Sequence, residues 1–339
     1  MASKFSFEPD RTMKVAQNLY ENGYCTYIRT DSTRMSDDAI EAIRNWITEN
    51  NFEVPKKPNT YGTKSSAQDA HECIRPTNIN NNPENSILTG DEKDVYKVIW
   101  QYAIASQMNP AIWDTLSVKI KNRYNANKII FSASGKALHS KGYLEIFGDV
   151  DPGQIDIPNL GEGDIVRLSD NDALKSEQKF TKSAPRFNNA SILKELEDRQ
   201  IGRPATYAEI IKKITARNYV EKKGSTYRPT DLGRKITDIL VKSFHFMDYE
   251  YTANMEKQLD EIENGKVDSI NMLKEFFIPF KSKLDQAYLN NGGILCDKCK
   301  SPMIERTNSK DNSKFIACSG FPKCRNTKPI LVEEMKEAV

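Results

Sequence analysis

Two residues near the start of the chain could do chemistry together. Tyr27 and Arg29 lie in Thr26-Tyr27-Ile28-Arg29-Thr30-Asp31-Ser32-Thr33-Arg34-Met35-Ser36. A phenol is a poor nucleophile at neutral pH, because its unperturbed pKa is about 10. A cation two residues away favours the phenolate and can also bind a phosphate oxygen bidentately. Tyr-x-Arg among hydroxyls is therefore what covalent attack on a phosphodiester needs. The alternative is a half-buried tyrosine whose hydroxyl is simply hydrogen-bonded, since a motif needs its structural context. A second constellation is Gln68-Asp69-Ala70-His71-Glu72-Cys73-Ile74-Arg75-Pro76-Thr77, and His71 is one of only 3 histidines. Protonated, it would be a charge-assisted donor to a phosphate. It could equally be a satisfied loop residue. A third constellation lies at the other end, Cys296-x-x-Cys299 followed by Cys318 and Cys324. Thiolates at this spacing put four sulfurs around one tetrahedral Zn²⁺. Such clustering argues for metal in a reducing compartment rather than a disulfide framework. Cys25 and Cys73 lack such partners and read as free thiols.

The elements that must position these groups follow from periodicity. Residues 9–22 read as a helix opened by Pro9-Asp10, with Met13, Ala16, Leu19 and Tyr20 on its apolar face. Asn22-Gly23 ends it, and Tyr24 to Arg29 then reads as a short strand carrying Tyr27. Ser36-Asp37-Asp38 caps a helix running through Ile47. Residues 51–90 are mostly loop. Asp94 to Met108 is an amphipathic helix with Val95, Val98, Ile99, Tyr102 and Ile104 facing a core, which Trp100 extends. From 113 to 182 the pattern changes to short β-runs at Leu116–Ile120, Lys128–Gly135 and Asp164–Leu168, with turns at Asp151-Pro152-Gly153 and Gly161-Glu162-Gly163. Residues 183–260 return to helix. Asn188-Asn189-Ala190-Ser191 ahead of a helical apolar run at Ile192, Leu193 and Leu196, a turn at Gly202, a helix opened by Pro204 and a hairpin of Tyr219–Glu221 with Thr226–Pro229 read as a winged helix-turn-helix. Such units either bind nucleic acid or only pack. Glu256 to Leu284 reads as one long solvated helix, and Asn290-Asn291-Gly292-Gly293 as a linker. Met303–Arg306 and Lys314–Ala317 are the two strands of a cysteine-held ribbon. There Phe315, Phe321, Lys323 and Arg325 suit stacking on unpaired bases, while Phe315 also suits the ribbon core.

Composition bounds the rest. The 339 residues suffice for several domains, and a formal charge of +2 gives no global basic field, so any nucleic-acid binding must be local. No apolar run is long enough for a membrane span and the start lacks a signal-peptide core. A cytoplasmic location, with no membrane partner, is the expectation.

The wording of these motifs is more specific than their spacing. Tyr-Ile-Arg-Thr-Asp-Ser-Thr-Arg-Met-Ser at Tyr27–Ser36 closely resembles the active-site segment of the type IA DNA topoisomerases, the bacterial topoisomerase I group. The string at Gln68–Thr77 resembles that family's second signature, with Cys73 in place of alanine, and Ile201-Gly202-Arg203-Pro204-Ala205-Thr206-Tyr207-Ala208 resembles a third. The likeness runs from Phe5 to about Ile330. It implies that Tyr27 attacks a DNA strand to leave a 5′-phosphotyrosine and a free 3′-hydroxyl, with Arg29 and His71 at the same phosphate. It also implies DNA contacts at Gln17, Arg75, Arg203, Thr206 and Arg217, and structural zinc on Cys296, Cys299, Cys318 and Cys324.

The implied fold class is α+β and multi-domain. A helical tyrosine domain (1–112) is joined by a β-strand arch segment (113–186) to a winged-helix-like DNA-binding domain (187–289), followed by a zinc ribbon and tail (290–339). The implied partners are single-stranded and negatively supercoiled DNA. The family also carries a toprim domain whose carboxylates bind Mg²⁺ and supply a general acid. The chain has no counterpart of that acidic cluster, so the expectation is that a separate toprim-bearing polypeptide brings it, or else that the chain is a fragment of a longer protein. A non-catalytic single-strand-binding module is the alternative. A tyrosine recombinase is disfavoured, because its arrangement of arginines and histidines is missing.

Overall fold

The structure, a computed structural model, describes residues 1–62, 71–121, 130–148, 153, 155, 160–167, 177–290, 292–309 and 311–330. Gln68-Asp69-Ala70, the start of the β-run at Lys128, the turn at Asp151-Pro152 and Leu168 lie outside these residues. The chain forms two compact units, Met1–Ile192 with Arg203–Lys212 and Leu193–Gly202 with Lys213–Val339.

The first unit opens with α1 (Ala2–Phe5) and α2 (Pro9–Glu21). Pro9 starts α2 where its missing N–H costs nothing. After Asn22, Gly23 takes φ 74°, which a residue with a Cβ rarely adopts. Next come α3 (Asp37–Glu49) and α4 (Gly90–Ser106). The Ser36 hydroxyl makes no capping bond, contrary to expectation, and Asp37 and Asp38 in the first turn complement the helix dipole instead.

One hydrophobic core gathers Leu19, Cys25, Ile28, Ile43, Ile47, Tyr96, Trp100 and Ile104 from these helices and the loops between them. Its polar tips are satisfied. The Tyr96 hydroxyl donates to the Asn81 carbonyl (2.9 Å) and the Trp100 indole N–H to the Ile79 carbonyl (2.8 Å). Those two bonds let Tyr96 and Trp100 turn inward, so α4 is rotated from its expected face and Tyr102 is 66% exposed. Across the surface, Arg11 of α2 holds Asp91 of α4 bidentately (2.7 and 2.8 Å).

After α4, β1 (Ile112–Lys121) and β2 (Ile130–Ser140) form an antiparallel ribbon, with Val118 opposite Ala133, and Ile155 bridges to Lys136. The expected strand at Asp164 is irregular, because the Asp164 carboxylate turns back to accept from the Gly161 amide (2.7 Å).

The chain continues through α5 (Asn189–Asp198) and α6 (Tyr207–Ala216). α6 begins three residues after Pro204, which sits in the preceding turn rather than in the helix. In the second unit, β3 (Val220–Lys223) pairs with β4 (Thr226–Pro229) as the expected hairpin. α7 (Asp231–Ser243) follows, and the Thr230 hydroxyl caps it by accepting from the Gly233 amide (3.0 Å). A Cβ on Gly233 would collide with the Tyr219 carbonyl. The single helix expected over Glu256–Leu284 is two, α8 (Tyr249–Glu263) and α9 (Ser269–Asn290). Gly265 at φ 69° closes α8, with the Lys266 amide donating to the Glu261 carbonyl (2.8 Å). The three-stranded ribbon β5 (Met303–Thr307), β6 (Lys314–Cys318) and β7 (Thr327–Pro329) ends the described fold. Among the described residues no helix is long and apolar enough to cross a membrane.

The core makes a pH prediction. Burial pushes the Cys25 thiol up from its ordinary 9.0 to about 11. The unfolded chain releases that proton near the ordinary value, so the stability gained from a buried neutral thiol is complete below pH 9.0 and is lost as pH rises towards about 11. Replacing Cys25 with Ala should therefore destabilise the chain at pH 8, by an amount that shrinks steadily towards pH 11 in urea titrations read by tryptophan fluorescence. A deficit that stays constant with pH would count against the assignment.

Candidate active site and metal centre

Tyr27 lies between α2 and α3 on irregular backbone, not on the expected strand. The only ladder element there is a single antiparallel bridge, Cys25 to Pro76. It does not extend, because the Arg75 amide is taken by the Thr26 hydroxyl and the Tyr24 amide by the Leu19 carbonyl. Backbone and side-chain bonds together hold the two segments. The Thr26 amide donates to the Arg75 carbonyl (2.9 Å) and the Thr77 amide to the Tyr24 carbonyl (3.1 Å). The Thr26 hydroxyl donates to the Cys73 carbonyl (2.8 Å) and accepts from the Arg75 amide (2.9 Å). Further along, the Cys73 amide donates to the Arg34 carbonyl (2.7 Å). Cys25 and Ile28, 1% and 4% exposed, anchor the backbone on either side of Tyr27.

The result brings Tyr27 and His71 together. Tyr27 is 42% exposed, its ring centroid 6.3 Å from that of His71 and 5.3 Å from that of Tyr20, which meets it edge-on at 67°. His71 Nδ1 lies 3.8 Å from an Asp31 carboxylate oxygen, too far for a hydrogen bond, and is buried with no described partner. Arg29 is exposed two residues beyond Tyr27. Cys73 is half-buried, and burial raises its thiol pKa against the opposing pull of Arg75.

The other candidates stand apart from this cluster or are already engaged. Arg75 forms an ion pair with Glu72 (2.7 Å) and donates to the Pro76 carbonyl (3.0 Å), with its side chain only 16% exposed. Gln17 on α2 donates to the Glu21 carboxylate (2.8 Å). Arg203 and Thr206 share the turn before α6, where the Thr206 hydroxyl accepts from the Arg203 amide (2.9 Å). Arg217 is exposed just past the end of α6 and belongs to the second unit.

Sequence reasoning did not assign Thr26 a role, and it placed Tyr20 on the core face of α2. Tyr20 instead lies against Tyr27 and is 38% exposed. The available signal was its place on the last turn of α2, where an outward aromatic can reach the loop that follows. A cleft of about 970 Å³, lined by Arg34, Ser36, Tyr61, Cys73, Tyr102 and Tyr143 among others, excludes both Tyr27 and His71.

In the second unit, the ligand atoms of Cys296, Cys299, Cys318 and Cys324 all lie within 4.8 Å of one another. Cys296 and Cys324 are 3.7 Å apart and Cys299 and Cys318 3.3 Å. A tetrahedron with Zn–S near 2.3 Å has sulfurs about 3.8 Å apart, so the set fits zinc. Asn326 donates to the Cys296 sulfur (3.3 Å) and the Gly320 amide to that of Cys318 (3.3 Å). Hydrogen bonds from Ser301 lower the Cys299 thiol below its ordinary pKa, towards the thiolate that metal requires. Beyond the metal site, Phe321 is 68% exposed with the Arg325 guanidinium 6.0 Å from its ring centroid, and Phe315 is half-buried.

Comparison with known proteins agrees with this picture. A DNA topoisomerase family profile matches residues 1–274, and a topoisomerase DNA-binding C4 zinc-finger profile matches 293–332. The chain is 38% identical to DNA topoisomerase 1 of Pseudomonas aeruginosa over 94% of its own length and 38% of that protein's. It is 34% identical to DNA topoisomerase 1 of Campylobacter jejuni over 99% of its length and 50% of that protein's. The structure of full-length topoisomerase I from Thermotoga maritima superposes with a TM-score of 0.70 at 30% identity, covering 97% of this chain and 55% of that one. The chain thus spans about half the length, or less, of these relatives. A mixed helix-and-sheet fold with a C4 ribbon behind it is a DNA-topoisomerase architecture. The chain belongs to the type IA, topoisomerase I-like, family.

The cysteine set is a structural zinc site. Purified chain should carry one zinc by atomic emission. Chelation should abolish the ribbon's amide protection against hydrogen exchange, while α2–α4 keep theirs. Serine at Cys296 should do the same. A ribbon still protected after zinc loss would show that its sheet holds without metal.

Proposed function

We propose that the chain supplies the cleaving tyrosine of a type IA DNA topoisomerase, relaxing negatively supercoiled DNA without ATP. The observation that carries this reading is the joining of Tyr24–Ile28 to Cys73–Thr77, which sets His71 beside Tyr27. Tyr27 Oη attacks a backbone phosphorus of a single strand. The new bond is a 5′-phosphotyrosine, the bond to the 3′-oxygen breaks, and the 3′-oxygen leaves with a proton. The phosphodiester energy stays in the phosphotyrosine, so after a second strand has passed the 3′-hydroxyl reverses the attack.

Arg29 offsets charge developing on the phosphate, and His71, when protonated, donates to the same group. Gln17 and Arg75 guide the adjoining backbone. Arg203, Thr206 and Arg217 hold single-stranded DNA through phosphates, which suits sequence-independent action. Arg75 would have to give up part of its Glu72 pairing to do so. The division into tyrosine domain (1–112), arch segment (113–186), DNA-binding domain (187–289) and ribbon with tail (290–339) belongs to the same reading. Among the described residues, the one group of three or more metal-ligating side chains is the cysteine set. The reading takes the general acid and the Mg²⁺-binding carboxylates from a toprim domain outside these residues, for which a separate polypeptide is the proposed source. Mg²⁺ held there would supply charge stabilisation at the phosphate. The cytoplasm, where the DNA substrate would lie, is the proposed location.

The test is a 3′-labelled single-stranded oligonucleotide incubated with the chain, Mg²⁺ and a toprim-domain polypeptide, then denatured. A labelled covalent adduct should form, and Tyr27→Phe should abolish it. Arg29→Ala should slow it by on the order of a hundredfold or more, as loss of a donor to developing charge does. His71→Ala should also cost about a hundredfold or more. Adduct surviving in Tyr27→Phe, or strand binding with no adduct in any mixture, overturns the assignment. The second outcome leaves a binding module.

A further inference from the structure

We infer that Tyr20 is a positioning residue for the Tyr27 nucleophile. The inference rests on the reading of Tyr27 given above and extends it to a residue with no part in the bond-making step.

The backbone at Tyr27 is held on both sides, by the hydrogen bonds of Thr26 and by the burial of Ile28. The side chain is not held in the same way. Tyr27 is 42% exposed, and its hydroxyl has no hydrogen-bond partner among the described residues. Among the described residues two ring contacts bear on its direction, with Tyr20 and with His71. The Tyr20 contact is the closer, at 5.3 Å and 67°, the edge-to-face arrangement that aromatic quadrupoles favour.

Tyr20 is also the better-anchored wall. It sits on the last turn of α2, beside Leu19, which is 1% exposed, and four residues after Ala16, which is 7% exposed. The turn that leads from it to Tyr27 is tied to the same helix end. The Gly23 amide donates to the Tyr20 carbonyl and the Tyr24 amide to the Leu19 carbonyl, both at 2.9 Å. The helix end therefore fixes the Tyr20 ring and the path to Tyr27 together. His71 has its own proposed task at the phosphate.

A phenol that must meet phosphorus in line loses rate when its side chain samples other staggered orientations. Removing the Tyr20 ring should therefore slow attack by roughly threefold to tenfold, the range set by three staggered wells and one aromatic contact. The argument uses the ring and not the Tyr20 hydroxyl, so phenylalanine should serve as well as tyrosine.

The experiment reads the chain's own nucleophile, using a 3′-labelled single-stranded oligonucleotide with one bridging 3′-phosphorothiolate. In attack, the phosphorus–sulfur bond breaks as the bond to Tyr27 Oη forms. The thiolate leaves with the electron pair and needs no general acid, and the phenolic proton passes to solvent. Single-turnover adduct formation and oligonucleotide Kd are measured for wild type, Tyr20→Ala, Tyr20→Leu and Tyr20→Phe. Near-ultraviolet circular dichroism checks the fold of each, and Tyr20→Leu keeps apolar bulk on the helix should the alanine variant unfold.

The expected result is a slower rate at unchanged Kd in Tyr20→Ala and Tyr20→Leu, with Tyr20→Phe restored to wild type. Three results would overturn the inference alone: wild-type rates in both folded non-aromatic variants, a Tyr20→Phe variant as slow as Tyr20→Ala, or a loss confined to Kd. Every assay includes Mg²⁺ and a toprim-domain polypeptide; adduct in Tyr27→Phe, or none in wild type, then overturns the proposed function and takes this inference with it.

Discussion

Thr26 carries the constraint on which the candidate site depends. Its amide and hydroxyl together make three close hydrogen bonds to Cys73 and Arg75, across 47 and 49 residues of sequence. Each such bond is worth about 0.5–1.5 kcal/mol net. Neither segment is a strand, so there is no ladder to share the task. Loss of the hydroxyl would strip a donor from Cys73 and an acceptor from Arg75 at once, in a half-buried place where unpaired groups are costly. Tyr27 and His71 face each other because this threonine, with the Thr77–Tyr24 and Cys73–Arg34 backbone bonds, joins the loops that carry them.

The helices make that junction possible by burying its flanks. Cys25 and Ile28 lie in the same core as Leu19, Ile47, Tyr96 and Ile104, so the loop is clamped from below while Tyr27 stays at the surface. The core tolerates a tyrosine and a tryptophan because the carbonyls of Asn81 and Ile79 meet their polar tips. The Arg11–Asp91 pair adds register between α2 and α4 more than energy, since exposed ion pairs contribute little. Rigid helices beneath an open tyrosine suit a reaction whose substrate is long and must enter and leave.

Much of this was legible in the sequence wherever a local pattern decides the structure. α2, α3, α4 and the β3–β4 hairpin follow from apolar spacing and from Pro9, Gly23 and Gly224 as punctuation. The cysteine spacing alone assembled the metal site. What failed had non-local causes. A strand at Tyr24–Arg29 needed a partner, and beyond the Cys25–Pro76 bridge the Arg75 amide bonds the Thr26 hydroxyl and the Tyr24 amide the Leu19 carbonyl, so no ladder forms. Tyr102 turned outward because Tyr96 and Trp100 found carbonyls in a remote loop, which no helical period records. The run at Asp164 was captured by its own carboxylate, and Gly265 outweighed the helical pattern on either side of it. Strand β7 is three residues ending in Pro329, too short to signal itself, and it forms because β6 offers an open edge. Within the site, Tyr27 and His71 were named from the sequence. Tyr20 and Thr26 were not singled out, since their roles exist only after two loops have met.

The two units hold themselves together by different means, and the difference bears on how the protein works. The first buries a broad set of aliphatic and aromatic side chains, which can support an irregular loop without help. In the ribbon, the buried cluster is Cys296, Met303 and Cys318, with only Ile316 and Cys324 packed against it. So few apolar contacts cannot offset the ordering of some forty residues, and metal–sulfur bonds must close the difference. A module stabilised by its interior ligands can leave its faces unburied, as Phe321 beneath Arg325 illustrates. Exposed rings beside cations suit stacking on unpaired bases. The tyrosine unit follows the opposite logic, with a broad apolar core holding the backbone on either side of a half-exposed Tyr27.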